Sequence, residues 1–379
     1  MNWKVIEKTG KPGALIRVVG VGGCGGNAVD HMVKSGLEGV ETLAINTDSQ
    51  ALENSKADIK HMLGELTNSG QGAGAKPEVG RETALDDYDR LEALLEGSDM
   101  VFIAAGMGKG TGTGASPIVA QVAKSIGALT VAVVTKPLKL ERKDEIAEKG
   151  IEALRSEVDS LITIPNQKLT EVFGGDCDFT EAFAHGNDVL LGAVRGISDI
   201  ITSVGTVNVD FQDVKTVMSE QGTAMMGTGI ASGHSRALDA TTDAIGSPLL
   251  EDISLQNAKG ILVNMTGGEK VTIGEIEKIL EQVNEFAAEG VQIIHGVAID
   301  KTMNKDDLKV TIVATGLGDG KKKSSFSSDA MGIRDSSIPS INSVKPINDL
   351  QEIETEASLD YLDVPLSLIH ISEPTRRTQ

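Results

Sequence analysis

Aromatic side chains are scarce in this chain of 379 residues: they make up 3% of it, with one Trp, two Tyr and seven Phe. Basic residues are also in the minority. Lys and Arg number 35 against 55 Asp and Glu, a formal net charge of −20. A nucleic-acid groove needs the reverse, a basic surface with rings that stack on bases, so nucleic acid is not an expected partner. Cysteine is nearly missing. Cys24 and Cys177 make neither a disulfide framework nor a metal-ligand spacing, and no protein-held metal is expected. A reducing cytosol is the expected compartment. No apolar run approaches the ~18 residues that a membrane helix needs. The opening Met1-Asn-Trp-Lys-Val-Ile-Glu-Lys8 lacks the apolar core of a signal peptide. Direct membrane insertion is therefore not expected, and any attachment has to come through a partner.

What the chain has in plenty is glycine, 43 residues concentrated in the first third, where 13 of them fall in three loops. Gly20-Val-Gly-Gly-Cys-Gly-Gly-Asn27 follows a strand pattern, Ala14–Val19, and precedes a helix from Ala28. Gly70–Pro77 is the second loop. Gly106-Met-Gly-Lys-Gly-Thr-Gly-Thr-Gly114 is the third, between the apolar Met100–Ala105 and a helix expected over Ser116–Ala123, with Pro117 in its first turn. Glycine between strand and helix lets backbone N–H groups crowd onto an anion at the positive end of the helix. The two threonines add hydroxyls, and a polyphosphate suits the whole. A tight structural turn is the other reading, although so much glycine costs backbone entropy if nothing binds.

Strands at Thr42–Thr47, Val101–Ala104, Leu129–Val134 and Ser160–Ile164 alternate with helices at Glu78–Leu95, Pro117–Ile126 and from Ile146. That alternation predicts an α/β fold, a Rossmann-like parallel sheet with helices on both faces. Gly20, Gly22 and Gly25 also satisfy G-x-G-x-x-G. A dinucleotide-dependent oxidoreductase, with Asp48 on the ribose, is thus the competing reading. It accounts for one glycine loop and not for three.

From Phe179 the pattern changes. Phe183, Leu190, Val194, Ile197, Ile201 and Val204 recur at three- and four-residue steps, which predicts one long helix. Near its start stand Asn187 and Asp188, an amide and a carboxylate that could read the edge of guanine or form a local surface pair. Past its end stand Asp210 and Asp213. They could orient a water or hold a cation's hydration shell, or cap the helix that follows. Further strands near 260–264, 291–295 and 308–314 suggest a second, α+β domain. Residues 319–358 read as a flexible polar linker. Leu359–Pro365 alternates apolar and acidic residues, as a docking peptide or an inert tail would.

These motifs resemble those of the FtsZ family, bacterial tubulin homologues that drive cell division. The resemblance runs from Ile16 to Leu317 and resumes at Asp360-Tyr-Leu-Asp-Val-Pro365. Its most specific stretches are Gly108-Lys-Gly-Thr-Gly-Thr-Gly114 and Asn208-Val-Asp-Phe-Gln-Asp213. It implies a GTP-binding domain (14–178) behind a leader (1–13), a central helix (179–205), a C-terminal domain with the acid loop (206–318), the linker and the docking peptide (359–365). It implies a GTPase that polymerises into the division ring at midcell, on the inner face of the membrane. By the same resemblance Gly23, Cys24, Gly25, Gly26 and Asn27 would hold phosphates and touch the base. Gly110, Thr111 and Gly112 would hold the β- and γ-phosphates, and Ala73 and Gly74 would sense the latter. Glu141 would take the ribose hydroxyls, Phe183 would stack on guanine, and Asn187 and Asp188 would read its edge. Asp210 and Asp213 would act on the attacking water. The closing peptide would bind membrane tethers such as FtsA or ZipA.

Three departures from the family pattern stand out. Lys109 occupies a glycine position, where a left-handed backbone would strain it and an ammonium could pair with phosphate. The segment after Glu141 is two residues short. Glu145 falls where the family has a phosphate-facing Arg, so Arg142 or Lys143 is the candidate replacement. From Leu366 onward the chain leaves the family pattern, and its back-translation resembles a sequencing-library adapter, so 366–379 is read as non-native. A non-hydrolysing filament is the alternative these changes suggest. At ~1.5 Å per residue the long helix separates Asn187 from Asp210 by ~25–30 Å. The acids are therefore expected to complete a neighbour's site in a head-to-tail filament, with Mg²⁺ relieving their repulsion from the triphosphate.

Overall fold

The computed structural model describes residues 13–65, 70–168, 178–202, 209–220, 222–250 and 255–317, without the side chains of 179–183. The leader up to residue 12, the linker, the docking peptide and the 366–379 tail lie outside the described residues.

Short β-branched runs build the centre. β1 (Ile16–Val21), β2 (Glu41–Asn46), β3 (Ile59–Met62), β4 (Met100–Gly106), β5 (Leu129–Lys136) and β6 (Ser160–Pro165) pair in parallel in the order 3-2-1-4-5-6. Parallel strands buried on both faces need apolar residues at nearly every position, and β4 and β5 supply them. Alternation sends Ile16 and Val18 into one aliphatic core and Val19 and Val21 into the other. The first core is shared with Leu190, Val194 and Ile197 of the long helix. The second is shared with Val119 and Leu154.

The sheet continues through β7 (Gly222–Ser232), β10 (Asp307–Leu317), β8 (Gly260–Gly267) and β9 (Gln292–Ile299). β7 joins β6 in parallel, while β10 is antiparallel to both β7 and β8. A third aliphatic core lies under this half. It is braced by Arg236, 7% exposed, whose Nε donates to Glu275 at 2.6 Å. The Arg236 hydrogen bond holds the Glu275 carboxyl down at about 2.

Two helices start earlier than expected. α1 (Gly22–Lys34) takes in the glycines assigned to a loop before Ala28. Four helices later, in chain order after α2 (Ser49–Asn54), α3 (Pro77–Asp86) and α4 (Tyr88–Leu95), α5 (Thr111–Ser125) begins five residues before Ser116, so Pro117 is inside it. Packing overrides the low helix propensity of glycine here. A Cβ at Gly25 would fall 2.2 Å from Ala104 O, and one at Gly114 would fall 1.9 Å from Pro77 O. Both glycines are the price of close helix approach. The expected single helix 78–95 breaks at Asp87, whose carboxylate accepts from Gly64 N at 2.7 Å.

β7 has no counterpart in the sequence reading for a similar reason. Its Gly-Thr-rich sequence reads as loop, but Gly227 and Gly229 lie against the helix Arg236–Ile245. Cβ atoms there would fall 1.9 and 2.1 Å from Ala244 O and Ala240 O. After α6 (Asp144–Arg155), the long helix α7 (Phe179–Thr202) buries Leu190, Val194 and Ile197 of the apolar stripe in the first core, with Ile201 packed against it; the Phe183 side chain and Val204 lie outside the described residues. α8 (Phe211–Met218) follows it.

Candidate functional site

Parallel strands aim their carboxyl ends at one edge, and helices begin there. In open α/β sheets that edge is where ligands bind. Here it holds a cavity of about 430 Å³. The first two turns of α1 contribute Gly23, Cys24 and Asn27, and the cap and first residues of α5 contribute Gly110, Thr111 and Gly112. The second glycine loop contributes Gly72, Ala73 and Ala75, and α7 contributes Asn187. All three glycine segments therefore meet at one place. The N-termini of α1 and α5 both open onto it, and their unpaired N–H groups favour an anion.

The loop before α5 is held from within. Met107 N donates to Thr135 O at 3.0 Å, and Gly108 N donates to Thr113 Oγ1 at 3.0 Å. Ser116 Oγ donates to Gly112 O. The left-handed backbone falls on Gly108 (φ 99°), not on Lys109, so the strain expected at Lys109 is absent. Lys109 is exposed and lines the cavity. Ala75, at φ 59°, carries the unfavourable left-handed conformation at this site instead.

Sequence reasoning missed several cavity residues at the end of β2. Asn46 Oδ1 accepts from Thr47 N at 2.9 Å and shapes the turn, and Thr47 Oγ1 lies 2.6 Å from Thr111 Oγ1. Asn-Thr-Asp directly after a strand is the signal that could have found them. Asp48 lines the cavity, but its carboxylate accepts from Gln50 N and Ala51 N and caps α2. Its expected ribose role in the oxidoreductase reading gives way to that cap.

Cys24 places its sulfur 3.7 Å from Thr135 Oγ1. Burial pushes its thiol pKa up, against the lowering effects of that hydrogen bond and of the Lys109 charge.

The remaining expected residues lie elsewhere. Gly25 is packed beneath Ala104. Gly26 lines a smaller cleft that shares Gly23 and Asn27 with the main cavity. Gly74 is left-handed (φ 57°) beside Ala75 and is not in the lining. Glu141 turns inward, and its Oε1 accepts from Leu138 N at 3.1 Å. Asp188 takes the surface-pair option, 2.7 Å from His31 Nε2 and 3.7 Å from His185 Nδ1. Phe183 lies in α7, its side chain outside the described residues. Asp210 caps α8 by accepting from Gln212 N at 3.2 Å, and Asp213 sits exposed in the first turn. Neither acid lines the cavity.

The profile described as Tubulin/FtsZ family, GTPase domain, matches residues 15–174, and that of the FtsZ family, C-terminal domain, matches 222–318. The cell division protein FtsZ of Pseudomonas aeruginosa is 57% identical over 307 residues, 80% of this chain and 78% of its own. That of Coxiella burnetii is 48% identical over 377 residues, 98% of this chain and 92% of its own. Among solved structures, an empty FtsZ dimer from M. jannaschii superposes with a TM-score of 0.76 at 40% identity, over 79% of this chain and 88% of that one.

Proposed function

The chain belongs to the FtsZ family of tubulin-like cell-division GTPases, and from that premise we propose that the cavity between α1 and α5 binds GTP and that hydrolysis is completed by a second copy of the chain. The observation that carries the assignment of the cavity is the meeting of three glycine segments and two helix N-termini in it. Polyphosphate oxygens would take the N–H groups of Gly110, Thr111 and Gly112 from α5 and those around Gly23 from α1. Asn187, which α7 adds to the lining, would meet the base with donor and acceptor together. Asp188 would join it only by releasing His31, and Glu141 would reach a ribose only by releasing Leu138 N. Phe183, Ala73 and Gly74 keep the roles that the family resemblance implies.

The acids argue for a shared site. Asn187 and Thr202 are about 22 Å apart along α7, and Asp210 lies beyond that end. Asp210 and Asp213 are exposed and away from the cavity of their own chain. A head-to-tail contact would present them to the next copy's γ-phosphate, where they would orient water. Such a heterologous contact does not close on itself and gives a filament. The oxygen-only donors at the cavity, Thr47, Thr111 and Asp48, suit a hard cation, so Mg²⁺ fits beside the phosphates and would offset their charge.

No helix among the described residues is long and apolar enough to cross a membrane. We assign membrane attachment at midcell to tethers of the FtsA or ZipA kind, bound by residues 359–365 on their sequence alone.

Sedimentation and phosphate release, measured together over a dilution series with GTP, test the reading. Specific activity is expected to rise above a threshold concentration at which polymer appears. A rate per molecule that stays flat at every dilution would overturn the shared site.

A further inference from the structure

The cavity's electrostatics have an imbalance at one residue. Its lining carries two charged side chains, Asp48 and Lys109. Asp48 directs one carboxylate oxygen, Oδ1, at two backbone N–H groups of α2. Lys109 is exposed and has no ion-pair partner among the described residues. Its charge is nonetheless felt at the Cys24 thiol, across the cavity's own lining.

The backbone beneath Lys109 is pinned on both sides. Gly108 is held by the Thr113 hydroxyl and takes the left-handed turn. Gly110 is wedged so closely that a Cβ there would fall 2.8 Å from Ala73 Cβ. A fixed root at the cavity lining and a flexible four-carbon stem give the ammonium reach into the space where α5 presents its N–H groups. The other nearby cations do not compete for it. Arg142 and Lys143 are absent from the lining, and Lys143 instead backs Gly108, its Cβ 3.0 Å from where a Gly108 Cβ would fall.

We propose that Lys109 is a specificity-determining residue, a cation in cis that binds the terminal phosphates and makes the cavity count them. This rests on the cavity being the GTP site. In a chain of net charge −20, one ammonium at the cavity wall is the local term that favours three phosphates over one.

Titration calorimetry of the full chain with GTP, GDP and GMP tests it, using the wild type, Lys109→Gln and Lys109→Arg. Lys109→Gln is expected to weaken GTP about tenfold, the lower end for a lost charge-assisted bond on an exposed side chain, and GMP by less than about twofold. GDP falls between. Lys109→Arg keeps the charge and is expected to keep the wild-type order and spacing. Circular dichroism checks that each variant is folded. Equal weakening of all three nucleotides, no weakening of GTP, or failure of Lys109→Arg to preserve the order overturns the role of Lys109. A wild type that binds none of the three overturns the GTP site itself, and the two failures are told apart by that control.

Discussion

Alanine at Gly114 and alanine at Gly23 should both weaken GTP binding but differ in their effect on stability, although both glycines belong to motifs that look like ligand loops. At Gly114 the new Cβ would lie 1.9 Å from Pro77 O and 2.7 Å from Arg81 N. Ordinary contact begins near 3.4 Å, so α3 has to retreat by ~1.5 Å or lose its first hydrogen bond. Overpacking of this kind costs about 1–3 kcal/mol and the hydrogen bond about 1 more, while alanine returns about 1 through helix propensity. The net is a loss of about 1–3 kcal/mol, or roughly 2–12 °C in Tm. GTP affinity should fall with it, because α3 anchors the loop carrying Ala73 and Gly80 rests against Gly110 O. At Gly23 a Cβ meets nothing within 4 Å, and the residue is not left-handed. Gly23→Ala should therefore keep the wild-type Tm and lose GTP affinity, since the methyl would occupy the cavity wall. Thermal denaturation followed by calorimetric titration reads both. A wild-type Tm for Gly114→Ala would refute the close α3–α5 approach. Undiminished GTP binding by Gly23→Ala would refute the place assigned to the phosphates.

Asp213→Ala should bind GTP as the wild type does and release almost no phosphate in polymer; equal loss of both would contradict its role in trans. Glu275 has a native pKa of about 2 against 4.5 for the free side chain, so its pairing with Arg236 stabilises the chain above pH 4.5 and the benefit fades as pH falls toward 2. Glu275→Gln should accordingly cost about 3 kcal/mol at pH 7 and progressively less below pH 4.5, as chemical denaturation at several pH values would show. Burial raises the Cys24 thiol pKa, so alkylation by iodoacetamide should be slow at pH 7.5, speed up with rising pH, and be slowed further by GTP; peptide mass mapping reads it. Labelling of Cys24 that ignores GTP would count against a nucleotide at that wall.

Much of the site could be read before folding was considered. Gly23, Cys24, Asn27, Ala73, Gly110, Thr111, Gly112 and Asn187 were all named from glycine spacing, strand-to-helix position and family resemblance, and all line one cavity. Asn46 and Thr47 were not, because a polar pair ending a strand has no periodicity to mark it. The strand Gly222–Ser232 was missed because glycines that admit a helix backbone look the same in sequence as glycines that open a loop. Asp210 carried two readings, and its cap is the one visible within a single chain.

Composition and pattern by themselves determined five of the six strands of the parallel half, β3 being the exception, and the long helix, and they marked the edge expected to bind an anion. Each follows from local periodicity and from the backbone freedom of glycine. Tertiary contact alone decided which glycines face the cavity and which face another element, since that depends on what lies within 3 Å of a missing Cβ. It also decided that the turn before α5 places its left-handed residue at Gly108, leaving Lys109 unstrained at the cavity wall. A sequence can specify that a charge is near a loop; only the folded backbone specifies the direction from which that charge arrives.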